Sequence, residues 1–114
     1  MTYNFRTHIK GDTYLGTSFT VTVNDLPQDL TDYRIRMHLR RSATPTSPLV
    51  LAFDTEDGTI EITDAAAGKF TIKPRLIDIP AFTYRYDIEF TNPDGVVRTW
   101  VSGTFPVKEE VTYG

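Results

Sequence analysis

Apolar and polar residues alternate with period two along most of the chain. Over residues 32–41, Tyr33, Ile35, Met37 and Leu39 fall on one side and Arg34, Arg36, His38 and Arg40 on the other. This is the pattern of an antiparallel strand with one face on a core and one in water. Residues 83–91 repeat it, with Tyr84, Tyr86, Ile88 and Phe90 inward and Arg85, Asp87 and Glu89 outward. Residues 18–23 set Phe19, Val21 and Val23 against Ser18, Thr20 and Thr22. Shorter strands read at 49–54, 59–63 and 69–73, and the first ten residues alternate loosely through Tyr3, Phe5 and Ile9. A last long strand over 96–107 puts Val97, Val101, Phe105 and Val107 on one face. Its other face carries Val96, Arg98, Trp100, Ser102 and Thr104.

The segments between these runs carry turn chemistry. Asn92-Pro93-Asp94-Gly95 fits a type I turn, with glycine taking the left-handed residue. Glu56-Asp57-Gly58 and residues 64–68 read as two further hairpin turns. Gly11-Asp12 and Leu26-Pro27-Gln28-Asp29 read as connectors. Residues 42–48 form a stiff loop, because the residues before Pro45 and Pro48 avoid the α region. Residues 74–82, with Pro74 and Pro80, cross from one sheet to the other with room for a single helical turn. The pattern predicts an all-β fold, a two-sheet antiparallel immunoglobulin-like sandwich of about eight strands in one domain over residues 1–114. A small barrel is the alternative. Tyr84 or Tyr86 is placed to tie down the corner before its strand through its hydroxyl.

Composition strengthens the strand reading. Thr occurs 18 times and Val and Ile eight times each, against 13 Leu and Ala combined. Hydrophobic residues make up 39% and charged residues 24% of the 114 positions, the balance of a folded domain. A net charge of −3 argues against a general phosphate-backbone binder. No apolar run approaches the roughly 18 residues of a membrane span. The opening Met-Thr-Tyr-Asn-Phe-Arg has no apolar signal stretch, which places synthesis in the cytoplasm.

The search for chemistry returns little. The absence of cysteine removes thiolate metal sites and cysteine nucleophiles. His8 and His38, both expected to face water, lack close metal-ligand spacing. Ser42, Ser47 and Ser102 lack a nucleophile-elbow context. Asp87 and Glu89 read as cross-strand partners of Arg34 and Arg36, not as a catalytic pair. The reading is therefore of a protein that is not an enzyme and needs no cofactor. Two features suit an interface. One is the basic stripe Arg34, Arg36, His38, Arg40 and Arg41, which lacks the interleaved aromatics of a nucleic-acid reader and fits an ion-paired face or a dock for an acidic partner. The other is Trp100, flanked by Arg98 on the polar face of its strand, where it reads as an interface anchor unless a loop or the N-terminal segment covers it. Pro45 and Pro48 would present the stiff loop beside the stripe.

Several runs resemble a known family. They are Ile9-Lys10-Gly11-Asp12-Thr13, Asp29-Leu30-Thr31, residues 35–41 followed by Ser42, residues 58–70, Tyr84-Arg85-Tyr86-Asp87-Ile88-Glu89-Phe90, Asp94-Gly95, Gly103-Thr104-Phe105 and Val111-Thr112. In order and spacing they are similar to small phage and prophage structural proteins, including the immunoglobulin-like N-terminal domain of phage baseplate upper proteins. The resemblance implies a virion building block of the tail, neck or baseplate region, located in the particle. Its partners would be other virion proteins and copies of itself in a symmetric assembly, without nucleic acid or membrane. A capsid-decorating or host-surface, carbohydrate-binding adhesive module is the alternative expectation.

Overall fold

The computed structural model describes residues 1–110 except Ala43 and Pro45. The expectations placed on Pro45 and on the 111–114 tail therefore lie outside the described residues.

The described residues form an all-β structure with no helix. In chain order the strands are β1 (His8–Ile9), β2 (Thr13–Tyr14), β3 (Thr17–Thr20), β4 (Thr22–Val23), β5 (Leu26–Pro27) and β6 (Arg34–Arg40). They continue with β7 (Leu49–Asp54), β8 (Ile60–Asp64), β9 (Lys69–Ile72), β10 (Arg75–Leu76), β11 (Phe82–Thr91) and β12 (Val97–Lys108). A five-stranded sheet has the order β1-β12-β11-β6-β7, and a three-stranded sheet the order β3-β9-β8. The two-stranded pairs β10-β2 and β4-β5 stand apart from both. The count exceeds the eight strands expected because two-residue segments pair where the sequence is too short to show a period.

The five- and three-stranded sheets share one apolar core. Ile35, Met37, Leu39, Phe53, Tyr84, Ile88, Phe90 and Phe105 from the larger sheet are buried together with Phe19, Ile60, Phe70 and Ile72 from the smaller. Phe19 and Phe70, directly opposite on β3 and β9, stack at 5.2 Å. Phe70 then meets Phe90 of the larger sheet edge-on at 5.5 Å. Such geometry puts the positive ring edge on the negative face, beyond what area burial alone contributes.

The turns at 64–68 and 92–95 form the hairpins β8–β9 and β11–β12 that the sequence indicates. Glu56-Asp57-Gly58, expected as a hairpin turn, instead carries the chain from β7 of the larger sheet to β8 of the smaller, two strands that do not pair. Gly58, Gly68 and Gly95 all take positive φ. At the β11–β12 turn the Asn92 side-chain oxygen accepts from the Asp94 and Val96 amides. Residues 74–82 do cross between the sheets, but without a helical turn. Arg75–Leu76 pairs instead with Thr13–Tyr14, so an extended bridge satisfies the backbone there. Leu26–Pro27, expected as a connector, pairs with Thr22–Val23 in a small hairpin, and Val23 is exposed where burial was expected. Of the two tyrosines, Tyr84 ties down the corner, donating its hydroxyl to the Pro80 carbonyl. Tyr86 instead donates to the carbonyl of Tyr3.

The N-terminal segment closes one side of the larger sheet. It runs parallel to β12, with Tyr3 N–H donating to the Ser102 carbonyl, Phe5 N–H to Thr104, and His8–Ile9 pairing with Val107–Lys108. The opposite edge, β7, is partly capped. The Arg75 guanidinium donates to the Ala52 carbonyl and lies over the Phe53 ring at 4.9 Å, while the Asp54 amide donates to Thr59 Oγ1. Side chains that take up edge donors and acceptors in this way discourage indiscriminate strand pairing.

One face assignment is corrected. The β11–β12 register passes from Ile88↔Val101 to Glu89↔Thr99, so Trp100 is an extra residue in a β-bulge. A bulge resets the period-two alternation, and residues 96–99 on its N-terminal side are all exposed. Val97, expected inward, is 46% exposed. Trp100, expected on the polar face, packs against the core, 4.9 Å from the Phe90 ring and 6.2 Å from that of Tyr33. It is half-buried there by Tyr33 and Phe90, not presented as a free anchor. Arg98 remains exposed.

Candidate functional site

The outward face of the larger sheet carries the molecule's concentrated charge, and strand register fixes its layout. Because residues directly opposite on paired strands share a face, β6, β11 and β12 lay their outward side chains in rows. Arg40, Arg85 and Thr104 form the first row, His38, Asp87 and Ser102 the second, and Arg36, Glu89 and Thr99 the third. Successive rows are about 7 Å apart, two residues along a strand. A groove of about 600 Å³ runs over the first two rows, walled at one side by Thr2 and Asn4 and at the other by Ser42 and Thr44.

The arginines of the stripe have different surroundings. Arg34 meets Asp54 at 2.8 Å and Glu56 at 3.2 Å, so Asp54, not Asp87 or Glu89, is its main partner. Arg36 meets Glu89 at 3.4 Å, as the alternation indicates. Its Nε is buried without a partner. Arg40 donates to the Ser47 carbonyl at 2.6 Å, which holds the loop before the exposed Pro48 against the sheet. Arg41 lies beyond the strand, its guanidinium 5.4 Å from the Phe82 ring centre. Among the described residues no carboxylate comes within ion-pair distance of Arg40 or of the exposed Arg85. These two guanidinium groups sit on directly opposed residues.

Burial and neighbouring charge act on the second row in opposite directions. The groove walls desolvate Asp87 and push its carboxyl up, and Glu89 adds to the shift. Desolvation, with Arg36 and Arg40 beside it, pushes His38 down. Both shifts favour the neutral forms. At the sheet edge the carboxyl of Asp54 is held low, its burial outweighed by the hydrogen bond from Arg34 and the Glu56 amide.

Neither histidine faces open water as expected. His38 is half-buried in the groove, and His8 packs near Tyr14 and Phe105 with its Nε2 lacking a partner. Burial also raises the Tyr14 hydroxyl to about 12. Among the described residues no three His, Asp or Glu side chains converge as metal ligands. No helix among them is long and apolar enough to cross a membrane.

The shift on His38 has a consequence for stability. The unfolded chain takes up a proton on this residue near its ordinary value of about 6.5, while the folded chain resists it. The contribution is therefore present above pH about 6.5 and is lost as pH falls through the lower folded value. Asp87 works the other way, its contribution present below its ordinary value and lost as pH rises, but it acts in a more acidic window. Thermal melts followed by circular dichroism should lose midpoint temperature between pH 7 and pH 5, less so in His38→Gln. Parallel curves for the two proteins would refute the assignment.

Sequence reasoning placed Arg34, Arg36 and Arg40 on this face correctly. It put Arg85 outward too, but did not single it out, because alternation assigns a face and not a cross-strand neighbour. Compared with protein-family models and with curated proteins, the chain matches none.

Proposed function

We propose that this chain is a non-enzymatic structural protein of a phage virion, in the tail, neck or baseplate region. In this reading it is an immunoglobulin-like β-sandwich that acts through contacts with other virion proteins and with copies of itself. The sheet order supports the fold: β1-β12-β11-β6-β7 facing β3-β9-β8 fits the immunoglobulin-like division of strands between two sheets. The Tyr84 hydroxyl on the Pro80 carbonyl fits the corner that such domains carry. The role rests on the family resemblance of the turn and core motifs.

The observation that carries the contact-based reading is the outward face of the larger sheet. A charged groove with an uncompensated pair of arginines is surface chemistry suited to a partner. Repetition by symmetry multiplies modest contacts of this kind into a stable assembly.

The test is to label the chain and image particles from cells in which it is produced with its neighbouring genes. Label at regular, symmetric positions on purified particles is the expected outcome. Label that never sediments with particles would overturn the proposal. Binding to a glycan array by the isolated protein, without incorporation into particles, would support an adhesive module instead.

A further inference from the structure

The row formed by Arg40 and Arg85 is electrostatically incomplete. Like charges on directly opposed residues of neighbouring strands repel, and this pair has no carboxylate within ion-pair distance among the described residues. Arg34 and Arg36, on the same strand, are each compensated. The groove lies over the uncompensated row and continues past it. Thr2, Ser102 and Thr104 contribute hydroxyls, and Asp87 and Glu89 line the end away from the two arginines, Glu89 being paired with Arg36. Arg40 spends one N–H on the Ser47 carbonyl, and the remaining donors of the two forked guanidinium groups match a carboxylate.

The chain carries the complementary chemistry elsewhere on its surface. Glu109 and Glu110 follow directly on β12 and are exposed. Neither makes an ion pair among the described residues, and Lys10, the cation whose charge they influence, is bonded to Asp78 at 2.9 Å. Glu110 lies near Gly11, outside the groove. A chain does not fill its own groove with this pair, but a neighbour's pair can reach it.

We propose that the groove over Arg40 and Arg85 receives the Glu109–Glu110 segment of a second copy of this chain. The inference rests on the assembly reading above and names its contact. The two patches are different surfaces of one molecule, so the contact is head-to-tail. Contacts of that type close into a ring or propagate as a filament, according to the rotation they impose.

Light scattering after size exclusion, at low and high salt, tests this on the full chain. Wild type should self-associate, more weakly at high salt. Arg85→Glu, and Glu109→Arg with Glu110→Arg, should each weaken association at least tenfold. Mixing the two variants should restore a mixed species, because each supplies the partner that the other lacks. Arg85→Glu should also melt a few degrees higher than wild type as an isolated chain, since it replaces a repulsion with an ion pair to Arg40. That rise separates lost contact from lost folding.

If wild type associates and the charge variants associate equally well, the groove assignment fails and the assembly reading stands. A wild type that is monomeric at every concentration yet incorporates into particles likewise overturns only the self-contact. Absence from particles together with a monomeric state removes both. Retention on an acidic glycan, lost in Arg85→Glu and without self-association, assigns the groove to a carbohydrate instead.

Discussion

Phe70→Ala is expected to lower the free energy of unfolding by about 3–5 kcal/mol, the range for removing a fully buried aromatic from a core. Phe70 is completely buried. Its ring stacks on Phe19 in its own sheet and meets the edge of Phe90 in the other, so one truncation takes away contacts within a layer and between layers. The small residue also leaves a cavity that two sheets, each held by its own hydrogen bonds, cannot easily collapse to fill. Against a total of about 5–15 kcal/mol for a small domain, this is a large fraction. Urea unfolding followed by tryptophan fluorescence measures it, since Trp100 packs on Phe90. A loss below about 1 kcal/mol would show that the layers are not joined through this residue.

Gly103→Ala comes second, by a different cause. The residue lies opposite Tyr86 in the sheet, and the N-terminal segment passes over it. A Cβ added there would overlap the Tyr3 carbonyl oxygen and come within 2.8 Å of the Tyr3 carbonyl carbon. Both are backbone atoms and have little room to move. The segment would lift away, with loss of the Tyr86–Tyr3 and Asn4–Thr104 hydrogen bonds and exposure of Phe5, now 6% accessible. The expected cost is about 3 kcal/mol, at the upper end for overpacking. It should be accompanied by faster hydrogen exchange at the Tyr3 and Phe5 amides. Unchanged protection at those amides would contradict the steric account.

What the sequence made legible follows from how each feature is encoded. Strands β6 and β11 could be read nearly residue by residue, because each has one face in the core and keeps a strict period of two. The glycine turns at 58, 68 and 95 were legible because each needs a backbone conformation that glycine supplies. Trp100 was placed on the wrong face because a bulge is a property of the pairing between strands, and no local signal in 96–107 announces an extra residue. The Arg40–Arg85 row was hidden for a related reason. Alternation gives the face of each arginine, but their opposition depends on a register set by the turns and the core. The pairing of Arg75–Leu76 with Thr13–Tyr14 joins two segments too short to carry a period at all.

The parallel alignment of the first residues with β12 also bears on how the molecule is made. Asn4 bonds Thr104, 100 positions later in the chain. During synthesis the segment around Asn4 leaves the ribosome well before β12, yet its place in the sheet is created only when β12 has followed. Contacts so distant in sequence slow the acquisition of structure. Until the last long strand emerges, the Tyr3 and Phe5 amides lack the Ser102 and Thr104 carbonyls they bond, and this aromatic-rich segment is in search of a surface.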